Sequence, residues 1–353
     1  MWQRFKEVVI KIPFKWLIIY FILSTLVIIL DKTAYNLSFI NQFESEGIKN
    51  LVTWAKDLRK IYHNVKVIFY VLYLLDILLL IFKIVLKNDS IKIMIINTFE
   101  NTKVNILTKY KYENKEFYKD LSNEVNILKN NYLNYTGIVK KIDEYAESFM
   151  EKKNEKYYAF AGILHTPFIL RLGYKIGDQT YFKLFHKKRD ENYFKLLKDN
   201  TTYIGNYPQL KVEKELKNSN ELIVSIATTF EITKEQLKKF NIDRNNYIKF
   251  ETVTKGFDVI ESEEQVNQYK KIIFDEIRAI CKEKNIKTIH LCISSSVAFT
   301  FALGQGFSKN YDPDVIIYNY EKQEYVWGLK LFEKSEDSVI YLQNTLDEKI
   351  RNT

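Results

Sequence analysis

Two long apolar stretches stand out in the first ninety residues of the chain. Residues 12–30 carry a single charge, Lys15, and residues 65–86 carry Asp76 near their middle between two flanking lysines. A helix of about 20 apolar residues crosses the hydrocarbon core of a bilayer. The pattern therefore predicts an α-helical membrane domain with two transmembrane helices in residues 1–90.

Asp76 is the costly residue of this predicted domain. A carboxylate in the middle of a bilayer is expensive unless it is neutral, paired or in contact with water. We therefore expect Asp76 to face another helix or a wet path. The alternative is a shifted register that places it nearer an interface. If Asp76 is central, two helices alone cannot enclose a pore, and self-association is required.

The cysteines decide the predicted orientation. Cys281 and Cys292 are the only cysteines of the chain, and a reducing compartment is the simpler setting for unpaired thiols. Two spans leave both termini on one side, so we expect a multi-pass protein with cytoplasmic N- and C-termini. A cleaved signal peptide is the alternative for the first stretch, but no small-residue cleavage site follows it.

Beyond residue 90 the apolar stretches become short and alternate with helical patterns. Residues 91–97 are typical of a buried strand, and a long polar helix is predicted from about residue 116 to 153. Further strands are predicted from Glu221 and Tyr247, with helices from Ile232 and over residues 263–284. Such alternation predicts an α/β domain with a mostly parallel sheet.

The soluble part contains a weak internal repeat. The segment that starts at Tyr158 superposes on the segment that starts at Ile289, at an offset of 131 residues, and Gly173 then matches Gly304. Both copies run from an apolar strand through a polar turn and a small-residue helix to a two-strand pattern. Two homologous units are the better explanation. We expect the two glycines to permit close helix–sheet packing.

This organisation predicts two domains. The membrane domain takes residues 1–90 and the soluble domain takes residues 91–353. The soluble domain divides into a first half of about 91–210 and a second half of about 211–353.

Polar turns follow the predicted parallel strands, and ligands of such sheets bind at the carboxyl ends of the strands. Hydroxyl and amide groups beside backbone N–H groups suit phosphate oxygens, although ordinary helix caps are the alternative. Aromatic side chains near these turns are candidates for stacking on a base. The candidate ligand-binding residues are Asn97, Thr98, His165, Thr166, Pro167, Phe168, Thr228, Thr229, Ser294, Ser295, Ser296, Tyr318 and Tyr320, the last two predicted at a strand end.

Charge and missing motifs exclude several classes of function. The net charge is +9, but residues 91–353 hold 41 Lys and Arg against 37 Asp and Glu, so no basic surface for polymeric nucleic acid is expected. The chain has no GxGxxG, GxxxxGK[ST], HExxH or GxSxG motif. We therefore predict no catalytic residue, no metal site and no conventional nucleotide cofactor.

Two segments resemble a known family. GILHTPFILRLGYKIGD at residues 162–178, and IHLCISSSVAFTFALGQGF with DVIIYNYEKQEYVWGLKL in residues 289–331, are similar to the SAVED domain of bacterial antiphage signalling. The resemblance is clear from about residue 155 to 335 and extends plausibly to Ile91. A proline common in the second turn of the family is replaced by Val297 and Ala298.

The resemblance implies a cytosolic domain of two fused CARF-like, Rossmann-like halves in a pseudo-twofold arrangement. It also implies a ligand, a cyclic oligonucleotide made by a CD-NTase-like nucleotidyltransferase, with a cyclic di- or trinucleotide expected. With its predicted spans, the chain is similar to the two-transmembrane SAVED effectors of CBASS. These imply ligand-induced higher-order homo-oligomers at the bacterial inner membrane, disruption of the lipid bilayer with Asp76 as a membrane-effector residue, and growth arrest or death of the infected cell.

Other functions remain open at this point. A membrane-tethered CARF-like sensor of cyclic oligoadenylate from a type III CRISPR system would have the same fold. A ring nuclease that degrades its own ligand would be an enzyme rather than a pure receptor. A structural membrane protein without a ligand would leave the polar turns as helix caps.

Overall fold

The computed structural model describes most of the chain after residue 88. The described residues are 74–75, 77–78, 89–107, 112–128, 135–151, 155–188, 191–198 and 208–342. Two units are distinguished, Met1–Asn88 and Asp89–Thr353. The first predicted span, Asp76 and all but four residues of the second span lie outside the described part. Within the described part, no helix has the length and apolar character needed to cross a bilayer.

Residues 89–198 build a six-stranded sheet. Its strand order is β2-β6-β5-β4-β1-β3, and the strands from β5 through β4 and β1 to β3 are parallel. The elements are β1 (Asp89–Asn97), β2 (Ile106–Leu107), β3 (Tyr112–Asp120), α1 (Ser122–Leu128), α2 (Tyr135–Glu151), β4 (Tyr157–Ile163), α3 (Thr166–Ile176), β5 (Phe182–His186) and β6 (Phe194–Leu196).

Residues 208–342 build a seven-stranded sheet. Its order is β13-β12-β11-β10-β8-β9-β7, with parallel strands from β11 through β10 and β8 to β9 and antiparallel strands at both edges. The elements are β7 (Leu210–Glu215), β8 (Glu221–Ala227), β9 (Asn246–Thr252), α4 (Glu263–Lys284), β10 (Thr288–Ser294), α5 (Val297–Gly306), β11 (Asp314–Glu321), β12 (Glu324–Lys330), α6 (Ser335–Ser338) and β13 (Val339–Tyr341).

The inner strands are apolar because both of their faces are covered. Strands β1, β4, β8 and β10 are almost entirely buried, which is typical of parallel sheets flanked on both sides. Asn97 at the end of β1 stands opposite Ile163 of β4, and Ala227 at the end of β8 stands opposite Ser294 of β10. The prediction of an α/β domain with mostly parallel strands is confirmed, and the register brings the polar turns together in each sheet.

The helices α3 and α5 cross at the two repeat-related glycines. A Cβ on Gly173 would lie 2.2 Å from the carbonyl oxygen of Phe301, and a Cβ on Gly304 would lie 2.2 Å from the carbonyl oxygen of Leu170. Leu170 and Phe301 are 131 positions apart, as are Gly173 and Gly304. Reciprocal contacts of this kind indicate a local twofold relation. The predicted helix–sheet role of the glycines is wrong, because they permit close packing of two helices.

A buried arginine joins the two halves beside this crossing. Arg171 of α3 is 1% exposed and forms a two-pronged ion pair with Asp143 of α2, through Nε at 3.0 Å and Nη2 at 2.7 Å. Its Nη1 donates to the carbonyl oxygens of Leu331 at 2.7 Å and Glu333 at 2.8 Å, just after β12. One side chain therefore satisfies groups from both halves of the domain.

Two predicted helices are wrong. The stretch 116–153 contains the end of β3 and the separate helices α1 and α2, because β3 is an edge strand whose charged residues imitate a polar helix. The helix predicted from Ile232 is replaced by turns and a short 3₁₀ helix, Lys238–Phe240. Ile232, Leu237 and Phe240 are buried there. Turns allow these three irregularly spaced side chains to pack into the core.

Candidate functional site

The first candidate cluster lies where β1 and β4 end. The backbone N–H of Thr98 donates to the carbonyl oxygen of Ile163 at 2.9 Å. The Thr98 hydroxyl lies 3.0 Å from Nδ1 of His165 and accepts a hydrogen bond from the His165 backbone N–H at 3.2 Å. The imidazole stacks on the ring of Phe99, with centroids 4.3 Å apart and planes inclined by 11°. The turn thus fixes His165 in one orientation.

Asn97 shapes this turn. Its Oδ1 accepts hydrogen bonds from the Phe99 backbone N–H at 3.1 Å and from the Thr102 hydroxyl at 2.9 Å, and its Nδ2 donates to the Phe99 carbonyl oxygen at 3.0 Å. The side chain is 1% exposed. Asn97 therefore supports the loop that carries Phe99, and its predicted contact with a ligand stays a prediction.

The second candidate cluster lies where β8 and β10 end. The backbone N–H groups of Thr228 and Thr229 both donate to the Ser294 carbonyl oxygen, at 2.9 and 3.0 Å. The hydroxyls of Thr228 and Ser295 are 2.7 Å apart, and the Ser294 hydroxyl accepts from the backbone N–H of Phe230 at 3.0 Å. As in the first half, a threonine after one inner strand is tied to the loop after the next.

Only two of the four polar turns open a helix. Thr166 begins α3 with Pro167 in its first turn, and the side chain of the cap residue His165 makes no capping bond. Ser296 caps α5 by accepting from the backbone N–H of Phe299 at 3.2 Å. The helix-cap alternative therefore holds for Ser296. The half-buried hydroxyls at these entries are those of Thr166, Ser294, Ser295 and Ser296.

The two halves meet beside the first cluster. The ring of His165 lies 6.4 Å from the ring of Trp327 on β12 of the second half. Trp327 is paired with Asn319, near the carboxyl end of β11. The entry of α3 therefore lies close to the carboxyl-end part of β11 in the second sheet.

Tyr318 does not lie at a strand end. It is the fifth of the eight residues of β11 and is buried. Its hydroxyl lies 2.8 Å from Nδ1 of His290, and the two rings are stacked. Burial raises the pKa of the Tyr318 hydroxyl and lowers the pKa of His290. The predicted strand-end position is wrong, because three residues of β11 follow Tyr318. The face of β11 that carries Tyr318 is covered by Phe240 and Tyr325.

The other two aromatic candidates lie in contrasting places. Phe168 is fully buried, with its ring against those of Tyr135 and Trp327. Tyr320 lies next to the last residue of β11, is partly exposed, and its hydroxyl accepts a hydrogen bond from Nε2 of Gln236. Of the stacking candidates, Tyr320 alone presents an accessible ring.

A cavity of about 190 Å³ lies away from these clusters. Its lining includes Asp178 and Thr180 from the connection between α3 and β5, Phe182 at the start of β5, and Glu263 and Lys270 of α4. This connection enters β5 at its amino end, whereas the candidate clusters follow carboxyl ends. Among the residues that the structure describes, no group of three His, Cys, Asp or Glu side chains could hold a metal ion.

Sequence reasoning missed two aromatic residues of these turns, Phe99 and Phe230. The repeat offset of 131 residues aligns Thr98 and Phe99 with Thr229 and Phe230. These positions precede Tyr158, where the clear part of the repeat starts. Extending the repeat toward the N-terminus supplies the signal.

Comparisons with known proteins found one family model and several solved structures. Residues 142–331 match the family model "SAVED: SMODS-associated and fused to various effectors sensor domain", and no curated protein matches the chain. Solved structures of the Acinetobacter baumannii Cap4 SAVED/CARF-domain containing receptor are similar at 15% identity and TM-score 0.47 with the cyclic trinucleotide 2'3'3'-cAAA, and at 14% and 0.48 with 3'3'3'-cAAA.

These matches are partial in length. Both A. baumannii matches cover 78% of this chain and 60% of that chain. The Moraxella osloensis Cap4 SAVED/CARF-domain containing receptor matches at 16% identity and TM-score 0.42, covering 67% of this chain and 48% of that chain. The chain thus spans less than two thirds of the length of these receptors.

Proposed function

Because the chain belongs to the SAVED family of sensor domains, whose model matches residues 142–331, we propose that it is a receptor for a cyclic oligonucleotide second messenger in a CBASS-type antiphage system. One observation carries the proposal. Each half ends its two inner strands in a linked polar cluster, Thr98 with His165 and Thr228 with Ser295. A cyclic ligand with several phosphate groups can therefore contact one polar cluster in each half.

The chemistry of the clusters suits phosphate oxygens. Half-buried hydroxyls at Thr166, Ser294 and Ser295 stand at the entries of α3 and α5, where the helix dipole favours negative charge. Hydroxyls and backbone N–H groups bind phosphate without adding a full positive charge. The ligand class is a cyclic di- or trinucleotide, supplied by a CD-NTase-like nucleotidyltransferase. The receptor works by binding rather than by catalysis.

The output of the receptor is proposed to lie in the N-terminal membrane domain. Residues 12–30 and 65–86 have the length and apolar character of bilayer spans. Ligand binding assembles the cytosolic domains into a higher-order homo-oligomer, which gathers the spans and disrupts the inner membrane. A ligand drives assembly only if it binds the assembled state more tightly than the monomer.

The first test removes one hydroxyl from each half. Full-length protein in detergent is titrated with cyclic di-, tri- and tetranucleotides, including the two cyclic triadenylates. Thr166→Val combined with Ser295→Ala should weaken binding of the best ligand by about 10-fold or more, because hydrogen bonds to a charged group contribute about 1.5–3 kcal/mol. Calorimetry gives the dissociation constants.

Ser308→Ala is the matched control for this test. Ser308 is also half-buried, but it lies just past the opposite end of α5, so its removal should leave the affinity unchanged. A folded parent that binds no member of the panel contradicts the receptor function. A double variant that binds as tightly as the parent contradicts the assignment of the site.

The second test addresses the membrane output. Full-length protein is reconstituted into dye-loaded vesicles and exposed to the ligand found above. Asp76→Leu should reduce ligand-triggered leakage several-fold and leave ligand binding unchanged, because the carboxylate is the polar group expected within the lesion. Asp57→Leu, in the predicted loop between the spans, should leak like the parent. If Asp76→Leu causes as much leakage as the parent, the Asp76 carboxylate does not take part in membrane disruption.

A further inference from the structure

The repeat places two phenylalanines at equivalent strand ends. Thr98 donates its backbone N–H to the carbonyl oxygen of Ile163, and Thr229 donates to that of Ser294. Both the donors and the acceptors are 131 residues apart, and each threonine is followed by phenylalanine, Phe99 in the first half and Phe230 in the second. The two aromatic rings therefore follow the same turn in the two halves.

The surroundings of these rings differ. In the first half the imidazole of His165 stacks flat on Phe99 at 4.3 Å. The residue 131 positions after His165 is Ser296, whose short side chain caps α5 instead. Among the described residues of the second half, the ring that contacts Phe230 is that of Phe257, and Phe230 is 61% exposed. The position beside Phe230 that corresponds to the imidazole is thus not filled by the equivalent residue.

Phe230 is held in place although its ring is accessible. Its backbone N–H donates to the Ser294 hydroxyl at 3.0 Å. Its ring meets the ring of Phe257 edge to face, with centroids 5.2 Å apart and planes at 90°. Phe257 is itself 42% exposed. A perpendicular neighbour supports the ring and leaves a face for a flat partner, which is the preferred geometry of aromatic stacking.

From this difference between the halves, we infer that Phe230 stacks on one nucleobase of the ligand, in the position that the His165 imidazole occupies against Phe99. The inference rests on the proposed function and names the group that reads a base. Stacking suits any base, because every base has a π-face. The Ser294 hydroxyl accepts from the Phe230 backbone N–H, and the Ser295 hydroxyl lies 2.7 Å from that of Thr228. Both hydroxyls suit the polar groups of the same nucleotide.

The chain thus treats its two halves differently. In the first half the His165 imidazole stacks on Phe99. In the second half a base of the ligand stacks on Phe230. Only one base per chain is stacked at these turns, so the bases of the bound ring are not equivalent.

The test is a substitution series at Phe230 in the full-length protein. The probe is whichever cyclic di-, tri- or tetranucleotide of adenine or guanine the parent binds most tightly. Phe230→Leu should weaken binding roughly 5- to 150-fold, whereas Phe230→Trp and Phe230→Tyr should stay close to the parent. The loss should be nearly the same at low and high salt, because stacking, unlike phosphate contact, does not depend on counterion release.

Tyr311→Leu is the matched control, since Tyr311 is 83% exposed and precedes the amino end of β11. Its affinity should equal that of the parent. A parent that binds none of the probes overturns the proposed function, and the stacking inference with it. A parent that binds while Phe230→Leu binds equally well overturns the stacking inference alone.

A second variant leaves the Phe230 side chain in place. Ser296→His supplies an imidazole at the position equivalent to His165, where it can cover Phe230 and compete with the base. Affinity should fall although Phe230 is intact. The loss of binding free energy in the double variant Ser296→His with Phe230→Leu should be smaller than the sum of the losses in the two single variants. Both substitutions act on the same stacking position. Fully additive losses, or an unchanged affinity for Ser296→His, would overturn the inference.

Discussion

Alanine at either crossing glycine should destabilise the soluble domain, although alanine is the better helix former. A Cβ at Gly173 or Gly304 would lie 2.2 Å from a carbonyl oxygen of the facing helix. Backbone atoms cannot move aside as a flexible side chain can, so α3 and α5 must separate. Overpacking of this kind costs about 1–3 kcal/mol and occasionally more. Thermal unfolding of the full chain measures the loss.

Gly137→Ala is the matched control for the crossing. Gly137 lies within α2, and a Cβ there would meet nothing within 4 Å, so its substitution should stabilise by up to about 1 kcal/mol. Gly173→Ala combined with Gly304→Ala should cost less than the sum of the single changes, because the first already separates the helices. If Gly304→Ala behaves like Gly137→Ala, the close crossing is wrong.

Removing Arg171 should have a comparable or larger effect. Arg171→Met leaves the Asp143 carboxylate buried, and among the described residues the Lys175 ammonium at 3.1 Å is its remaining charged partner. It also deprives the carbonyl oxygens of Leu331 and Glu333 of their donor. Breaking a buried ion pair from one side costs about 3–5 kcal/mol. Denaturant titration should show a lower midpoint for the soluble domain.

Two comparisons make the arginine test specific. Lys271→Met removes a cation whose pair with Asp275 is largely exposed, so it should change stability by less than about 1 kcal/mol. Arg171→Met combined with Asp143→Leu should recover part of the loss, because no buried charge is left without its partner. Equal midpoints for Arg171→Met and Lys271→Met would show that the buried pair does not hold the halves together.

The predictable parts of the fold are those whose signals are local. The helix predicted over residues 263–284 is α4, whose bounds are Glu263–Lys284. Ser262 caps it by accepting from the Gln265 backbone N–H, and Asn285 ends it in the left-handed region at φ 49°. The apolar strands β1, β8 and β9 were equally visible. Strand β3 was not, because its strand character comes from pairing with β1 and not from its own composition.

The candidate site was predictable in position but not in detail. Parallel register brings Thr98 to His165 and Thr228 to Ser295, as expected for turns at neighbouring strand ends. Tyr318 shows the limit of this reasoning. Alternation of side chains along β11 predicts that Tyr318 lies on one face of the sheet. The packing of Phe240 against the Tyr318 ring shows that this face is covered. The contacts of the remaining candidates with a ligand stay predictions.

The unlike partners of Phe99 and Phe230 have a consequence for the proposed messenger. In a dimer of identical subunits every residue occurs twice, so a recognition surface on the axis is obliged to be symmetric. A fused repeat is free of that constraint, and here a histidine in one copy stands where the other has a serine. Covalent fusion therefore allows one polypeptide to distinguish the two sides of a ring with unlike bases or linkages.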